Sequence, residues 1–453
     1  MTSQDAQLSQ ERPTSIRFLV LALSCGTSWY LYLHRYAFAL IKPTLVEEYG
    51  LGKDDLGLLD LCFSVTYSVF QFPAGVIADV AGAHIFLGVV IILSSIALAM
   101  HAIPNVTMLA VARALFGTAQ AGAFSSVSRI TRIWFPSSSR TMAQGLAGVA
   151  FGRIGGMSSN LVLAALLIGY FGLDWRIGIF IIAGGGLLHG LLHLMLFRNS
   201  PREHSWTNDS EVELIGDNEP PPSNEPKVGL LDRIRNTNTN KRALVNLAFL
   251  NAASTFSTIA DNIYSAWIPL FLFEEYKLEF KEMGIYSALP LLGGAIGGAC
   301  SGFINDWLIR ATGNRRWTRS LIGCIGKCGA AAILGVALLY RDSPYVFCSI
   351  LLFVKIFADS SLSTRWGTVT DISGNATASV FAFNNAVAGV GAMVAPIVYG
   401  FVSESFGWTP TFLIACGAYV LCGLSWLMVD CTIQLFPDPF AEEDGIEDHG
   451  PDK

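Results

Sequence analysis

The chain has 453 residues, of which 52% are hydrophobic and only 14% charged, and its net charge is −6. Soluble domains carry about 25% charged residues, and a soluble chain of this size has no core large enough to hide so much apolar surface. The composition excludes an ordinary soluble protein, offers no basic surface for nucleic acid, and puts the chain in a lipid bilayer.

Nine cysteines lie singly in apolar segments, with no CxxC pair and no His/Cys cluster of metal spacing. No disulfide framework, metal or cofactor is therefore expected. The first apolar run is far longer than a signal-peptide core and leads into a charged loop, so no cleavable signal is expected either.

A membrane-spanning helix needs about 20 apolar residues. From the N-terminus, windows of that size predict spans at 16–42, 56–78, 83–103, 107–135, 141–169 and 177–197. A second set falls at 243–273, 283–305, 318–340, 344–368, 377–402 and 409–432. Between them lies "GDNEPPPSNEPK", too rich in proline and charge to build a core. The predicted organisation is a tail (1–15), a six-helix bundle (16–197), a linker (198–242), a second bundle (243–432) and an acidic tail (433–453). The fold class is all-α integral membrane, with twelve transmembrane helices.

Orientation follows from where lysine and arginine collect. The loop after the fourth span carries Arg129, Arg132 and Arg140, and the loop after the eighth carries Arg310, Arg315, Arg316 and Arg319. Connections on the other side, such as "KPTLVEEYGLGKDD", are acidic or balanced. Both termini and the linker are thus expected in the cytoplasm. "GVIAD" at Gly75–Asp79 recurs as "GFIND" at Gly302–Asp306, and "FGLDWRIGIF" recurs as "FGWTPTFLIA". Such internal repeats mark a transporter built from two related bundles.

The first span holds "YLYLHRYAFALIK", with Arg35 about ten residues, or roughly 15 Å, from its outer end. An arginine at that depth costs roughly 2.5–3.5 kcal/mol even on lenient insertion scales, so it must face protein or water. Polar residues recur at helical spacing beside it. Tyr32 and Tyr36 flank Arg35; the second span aligns Asp60, Tyr67 and Gln71; the fourth aligns Arg113, Gly117 and Gln120. In the second half, the seventh span offers Ser254, Thr258, Asp261 and Ser265 with Asn262 adjacent, the tenth Lys355, Asp359 and Trp366, and the eleventh Asn384 and Asn385. Six polar stripes across both halves imply a shared hydrophilic cavity. A guanidinium, charged at every relevant pH, grips a carboxylate or phosphate through two parallel hydrogen bonds, so Arg35 reads as an anion receptor.

These residues resemble the major facilitator superfamily and, within it, the anion:cation symporter family of organic-acid transporters. Gly75, Asp79 and Gly82 in "GVIADVAGAH" match the superfamily's loop after the second span, Asp306 marks its echo, and Arg113 and Gly117 in "RALFG" match a fourth-span motif. "HRYAFALIKP", "YSAWIPLFL" (carrying Tyr264, Trp267 and Pro269), "DISG" and "NNAVAGVGAMVAP" resemble the narrower family. The resemblance implies that Arg35 binds a substrate carboxylate and Asn385 a polar substrate group. It also implies alternating access by a monomer, with Asp79 and Asp306 in gate loops. Three departures stand out. Val80, Ala83 and His84 replace basic loop residues, His34 replaces an acid beside the arginine, and Gln120 replaces a glutamate. The carboxylates implicated in proton coupling are thus missing. His34, Asp261 and Asp359 are the remaining ion-coupling candidates, for H+ or Na+.

The sequence is thus read as a multi-pass transporter of the cytoplasmic membrane that moves a sugar acid or related carboxylate. Two alternatives compete. Organophosphate exchange would want a second deep arginine in the seventh span, where Asp261 and Asn262 stand; a membrane sensor or scaffold would want a folded output domain, where only a polar linker and tail occur. An enzyme is not expected, since no HExxH or GxSxG motif occurs in a plausible frame.

Overall fold

Within a bilayer every backbone N–H and C=O must be satisfied inside the protein, and long apolar runs do this by becoming helices. The computed structural model describes residues 12–103, 105–216, 241–373 and 377–435, and its regular structure among these is entirely helical. Twelve units emerge in chain order. α1 is Ile16–Tyr49. α2 and α3 share the run Lys53–Met100, which turns at Gly82 with φ 78°. α4 comes in two pieces, Val106–Gln120 and Ala123–Trp134. α5 occupies 137–170 and includes π-helical stretches at Gly145–Ala150 and Asn160–Tyr170. α6 is Trp175–Leu196.

In the second half, α7 comprises Lys241–Ala266 and Ile268–Tyr276. α8 is Phe280–Thr312 and α9 is Arg315–Leu339. α10 comprises Pro344–Asp359 and Leu362–Ser373, α11 is Thr377–Phe406, and α12 is Trp408–Leu427. Ten of these units are long and apolar enough to cross a membrane unaided; α2, which opens on charged residues, and the interrupted α4 are the exceptions. The chain is therefore a multi-pass membrane protein.

The strongest packing partners repeat between the halves. α2 packs on α4, α3 on α6 and α1 on α5, just as α8 packs on α10, α9 on α12 and α7 on α11. The two bundles meet along two seams, α2 with α11 and α5 with α8. Glycines bring backbones together there, as small residues do in lipid-embedded interfaces. A Cβ on Gly57 would lie 2.6 Å from the Pro396 carbonyl oxygen, and one on Gly284 would lie 2.6 Å from that of Asn160. α8 packs most extensively on 160–170, less on 151–159 and least on 145–150. The bundles thus converge at the face bearing the α1–α2 and α7–α8 connections, here the closed face, and diverge toward the face where α1 begins and α12 ends, here the terminal face.

The predicted linker begins with structure that composition does not forecast. After α6 come a short turn at Pro201–Glu203 and a helix at Asp209–Ile215. Glu211 on that helix is fully buried and accepts from the backbone N–H groups of Ile16 and Arg17, both at 3.0 Å, and from the Thr14 hydroxyl. The first turn of α1 contains no acid of its own, so Glu211 supplies the N-terminal anion that a helix favours. A cap nearly two hundred residues away in sequence leaves no local pattern. Residues 217–240, including most of the proline-rich stretch, and the tail from 436 onward lie outside the described residues.

If this seam holds the closed face shut, Gly57→Val should pry it open, because the Pro396 backbone cannot move aside cheaply. A single cysteine at the buried position Ser403, in a background without the native cysteines, should then react faster with a membrane-impermeant maleimide. Unchanged labelling would remove the seam from the gate.

Candidate functional site

Helix interruptions occur at corresponding positions in the two halves. α4 breaks after Gln120, at Ala121 and at Gly122 (φ 78°), while α10 breaks after Asp359. Discontinuous helices at matching places are the structural sign of a binding site at the bundle interface. Each break lies beside a cluster of charge.

The first cluster centres on Arg35. Its Nε donates to Gln120 Oε1 at 3.0 Å, and Gln120 Nε2 donates in turn to the Leu31 carbonyl at 2.9 Å. The guanidinium carbon sits over the rings of Tyr67 (4.7 Å), Tyr32 (5.2 Å) and Phe63 (5.3 Å). Aromatic faces steady a cation without neutralising it. No carboxylate lies within ion-pair distance of Arg35 among the described residues. The structure thus holds the side chain in a fixed pose with its charge uncompensated. Gln71, half-buried, follows Tyr67 one turn along α2.

The second cluster joins four helices of the C-terminal bundle to α5 of the other. Lys355 Nζ bridges Asp261 and Asp359, at 2.5 and 2.9 Å. The Tyr419 hydroxyl donates to Asp261 at 2.9 Å, and Lys327 stands 4.0 Å from the same carboxylate. Tyr264, buried, faces Lys355 across 5.4 Å. From α5, Arg153 reaches Asp359 at 2.8 Å, so one ion pair ties the two bundles together at depth. Tyr36 is buried beside it, since a Cβ on Gly156 would lie 3.1 Å from its ring. Three cations face two carboxylates, so this cluster also carries surplus positive charge.

A third network closes the outer part of the same interface. Asp60 receives Lys42 Nζ at 2.6 Å and Arg113 at 2.7 Å. Lys42, fully buried, also donates to the Ala266 carbonyl at 2.8 Å and lies 3.9 Å from the Trp267 ring centroid. Pro269, just beyond, interrupts α7 and has no N–H of its own to give back to the preceding turn. Lys42 therefore fastens α1 to the break in α7.

Several residues singled out in the sequence sit elsewhere. His34 is 1% exposed and faces α6, where its Nε2 meets the Ile182 carbonyl at 3.2 Å, so it does not share the Arg35 face. Asn384 is buried between helices, bonded to Ser254 and Asn251. Trp267 is wholly buried under Lys42, and Trp366 packs on Phe381 with 41% of its surface exposed. Gly117 serves packing: a Cβ there would fall 2.4 Å from the Phe63 carbonyl oxygen. Gly82 makes the α2–α3 turn against Asn199, Gly75 has open space beside it, and Asp306 is exposed at the terminal face. The Asp79 side chain lies outside the described residues. Lys42, Lys327 and Phe63 had no assigned role in the sequence reading. Lys42 at least carried a signal, being a second cation in the apolar run of Arg35.

Two six-helix bundles meeting over matched broken helices and buried charge define a membrane transporter. Residues 19–380 match the sequence profile of the Major Facilitator Superfamily, and the chain belongs to it. Similar proteins include the probable sulfoacetate transporter of Cupriavidus necator, 26% identical over 86% of this chain and 88% of that protein. The hexuronate transporter of Escherichia coli is also 26% identical, over 86% of this chain and 90% of its own length. Among solved structures, a D-xylose–proton symporter shares the fold with a TM-score of 0.69 and 15% identity, covering 92% of this chain and 98% of that one. A bacterial homologue of the lysosomal transporter Spinster scores 0.68 at 16% identity, over 91% and 94%.

The Asp60 network carries a definite expectation for stability. Asp60→Asn leaves two buried cations unpaired and should cost about 3–5 kcal/mol, whereas Lys42→Met leaves a balanced Asp60–Arg113 pair and should cost far less. Adding Lys42→Met to Asp60→Asn should recover part of the loss. Thermal unfolding of the four proteins in detergent checks the order.

Proposed function

We propose that this protein is a secondary transporter of a small organic anion, with Arg35 as the receptor for the substrate's carboxylate. The observation that carries the reading is the pose of Arg35: anchored by Gln120, walled by aromatic rings and left without a carboxylate. A guanidinium held that way offers its terminal N–H groups to a planar anion. The relatives named for organic anions support the reading, and the aromatic walls suit the carbon skeleton of a sugar acid. In this reading the terminal face is cytoplasmic, the membrane is the cytoplasmic one, and the described conformation is closed to the outside. The chain works as a monomer.

Alternating access then requires the closed-face contacts and the Arg153–Asp359 bridge to break together. Asp261 and Asp359 are the coupling candidates. Each is already engaged by lysine or arginine, so a proton or Na+ binds only as an ion pair opens, which links ion binding to bundle movement. Gln120 cannot take that role. It holds Arg35 permanently ready for substrate, whereas a glutamate there would compete with the substrate for the same guanidinium.

The test is the thermal stability of purified protein against a panel of sugar acids, other carboxylates and sugar phosphates. A ligand that binds only the folded state raises the melting temperature by mass action. Carboxylates should stabilise wild type and leave Arg35→Ala unchanged; an equal response from both would make Arg35 structural. Gln120→Glu should respond weakly at neutral pH and recover as pH falls. Selective stabilisation by sugar phosphates would favour organophosphate exchange instead.

A further inference from the structure

The deep cations of this molecule divide into two kinds. Lys42 and Arg113 share Asp60, Lys355 and Lys327 face Asp261, and Arg153 faces Asp359. Arg35 and Arg365 have no carboxylate within ion-pair distance among the described residues. Arg365 lies on the inner piece of α10, just beyond the break that follows Asp359. One terminal nitrogen donates to Asn385 Oδ1 at 3.3 Å, while its Nε is buried with no hydrogen-bond partner. A buried, unpaired guanidinium is costly to keep, so an uncompensated one facing a cavity is a place for an anion.

Arg35 and Arg365 belong to opposite bundles but flank one seam. Arg35 rests on Tyr67 of α2; the adjacent Ser68 Oγ lies 3.0 Å from where a Cβ on Gly389 of α11 would be. Asn385, which holds Arg365, is one helical turn from Gly389, about 5–6 Å toward the terminal face. The two arginines therefore flank one seam from opposite bundles, and the Asn385 that holds Arg365 lies about a turn nearer the terminal face than the Ser68–Gly389 contact beside Tyr67. We infer that the substrate is a dianion, with one acidic group on Arg35 and the second on Arg365, positioned by Asn385. This rests on the reading of Arg35 as anion receptor and adds to it a second anchor that a monocarboxylate leaves empty. An anion bound across the seam neutralises both arginines and draws the bundles together at the open face.

The inference is tested with matched pairs that differ in the number of acidic groups: galactonate with galactarate, and acetate with sulfoacetate. Equilibrium binding by titration calorimetry is measured on wild type, Arg365→Gln, Arg365→Lys and Arg35→Gln. Wild type should prefer the dianion of at least one pair about tenfold or more, as a charge-assisted contact implies. Arg365→Gln should bring the dianion down to the affinity of the monoanion, whose own binding stays within about twofold. Arg365→Lys should keep part of the preference, and Arg35→Gln should lose both ligands. The inference is overturned if wild type binds the monoanion as tightly as the dianion, or if Arg365→Gln lowers both alike; Arg35 then remains the receptor. Binding of both ligands by Arg35→Gln as by wild type overturns the receptor reading itself, as does binding of no member of either pair by wild type.

Discussion

The central constraint on this molecule is that a charge inside a bilayer must be answered by protein, water or ligand. Two of the buried networks answer it with protein. Asp60 draws Lys42 and Arg113 together, Asp261 and Asp359 share Lys355, and Asp359 reaches across to Arg153 in the other bundle. Arg35 is met by an amide oxygen and by tyrosine and phenylalanine side chains, with no carboxylate at ion-pair distance among the described residues. That imbalance gives the middle of the bundle its chemistry. In the proposed function the remaining answer comes from a substrate.

The same networks also position the moving parts. Lys42 connects α1 to the proline break in α7, and Arg153 connects α5 to the end of the first α10 segment. Both sit beside helix interruptions, and they join the glycine-mediated packing and a few further polar contacts between the bundles, such as Lys53–Glu274 and Asn160–Ser287, each at 3.0 Å. A packed seam resists sliding, while a few charged contacts can be exchanged for others as the bundles rock. In the proposed transport cycle these electrostatic contacts are the ones that break as the bundles rock.

Much of this was legible in the sequence because lipid imposes simple rules. Apolar windows of about 20 residues recovered twelve helices, and the repeated "GVIAD" and "GFIND" recovered the two halves. Arg35 stood out because a charged residue in an apolar run is rare. Tyr32, Tyr67 and Gln120, aligned by helical spacing, gather around Arg35. What the sequence could not carry was which charge meets which. The Lys355–Asp359 pair follows from their spacing of one helical turn, but the pairing of Asp261 with the same lysine depends on how α7 packs against α10. Asn384 and Asn385 are neighbours with opposite fates, one locked between helices and the other turned toward Arg365. His34, next to Arg35 in sequence, points about a quarter turn away from it, into α6. Glu211, capping α1 from beyond α6, is invisible to any local pattern.

The measurement that tests the account most directly is uptake of labelled sulfoacetate, galactonate and a hexuronate into proteoliposomes containing wild type or Arg35→Ala, each reconstituted to the same density. The account expects wild type to accumulate at least one of these anions above protein-free vesicles, and Arg35→Ala to fall to the vesicle background while remaining folded. Transport that survives in Arg35→Ala would contradict it, because the uncompensated guanidinium would then be a structural feature with no part in holding the substrate.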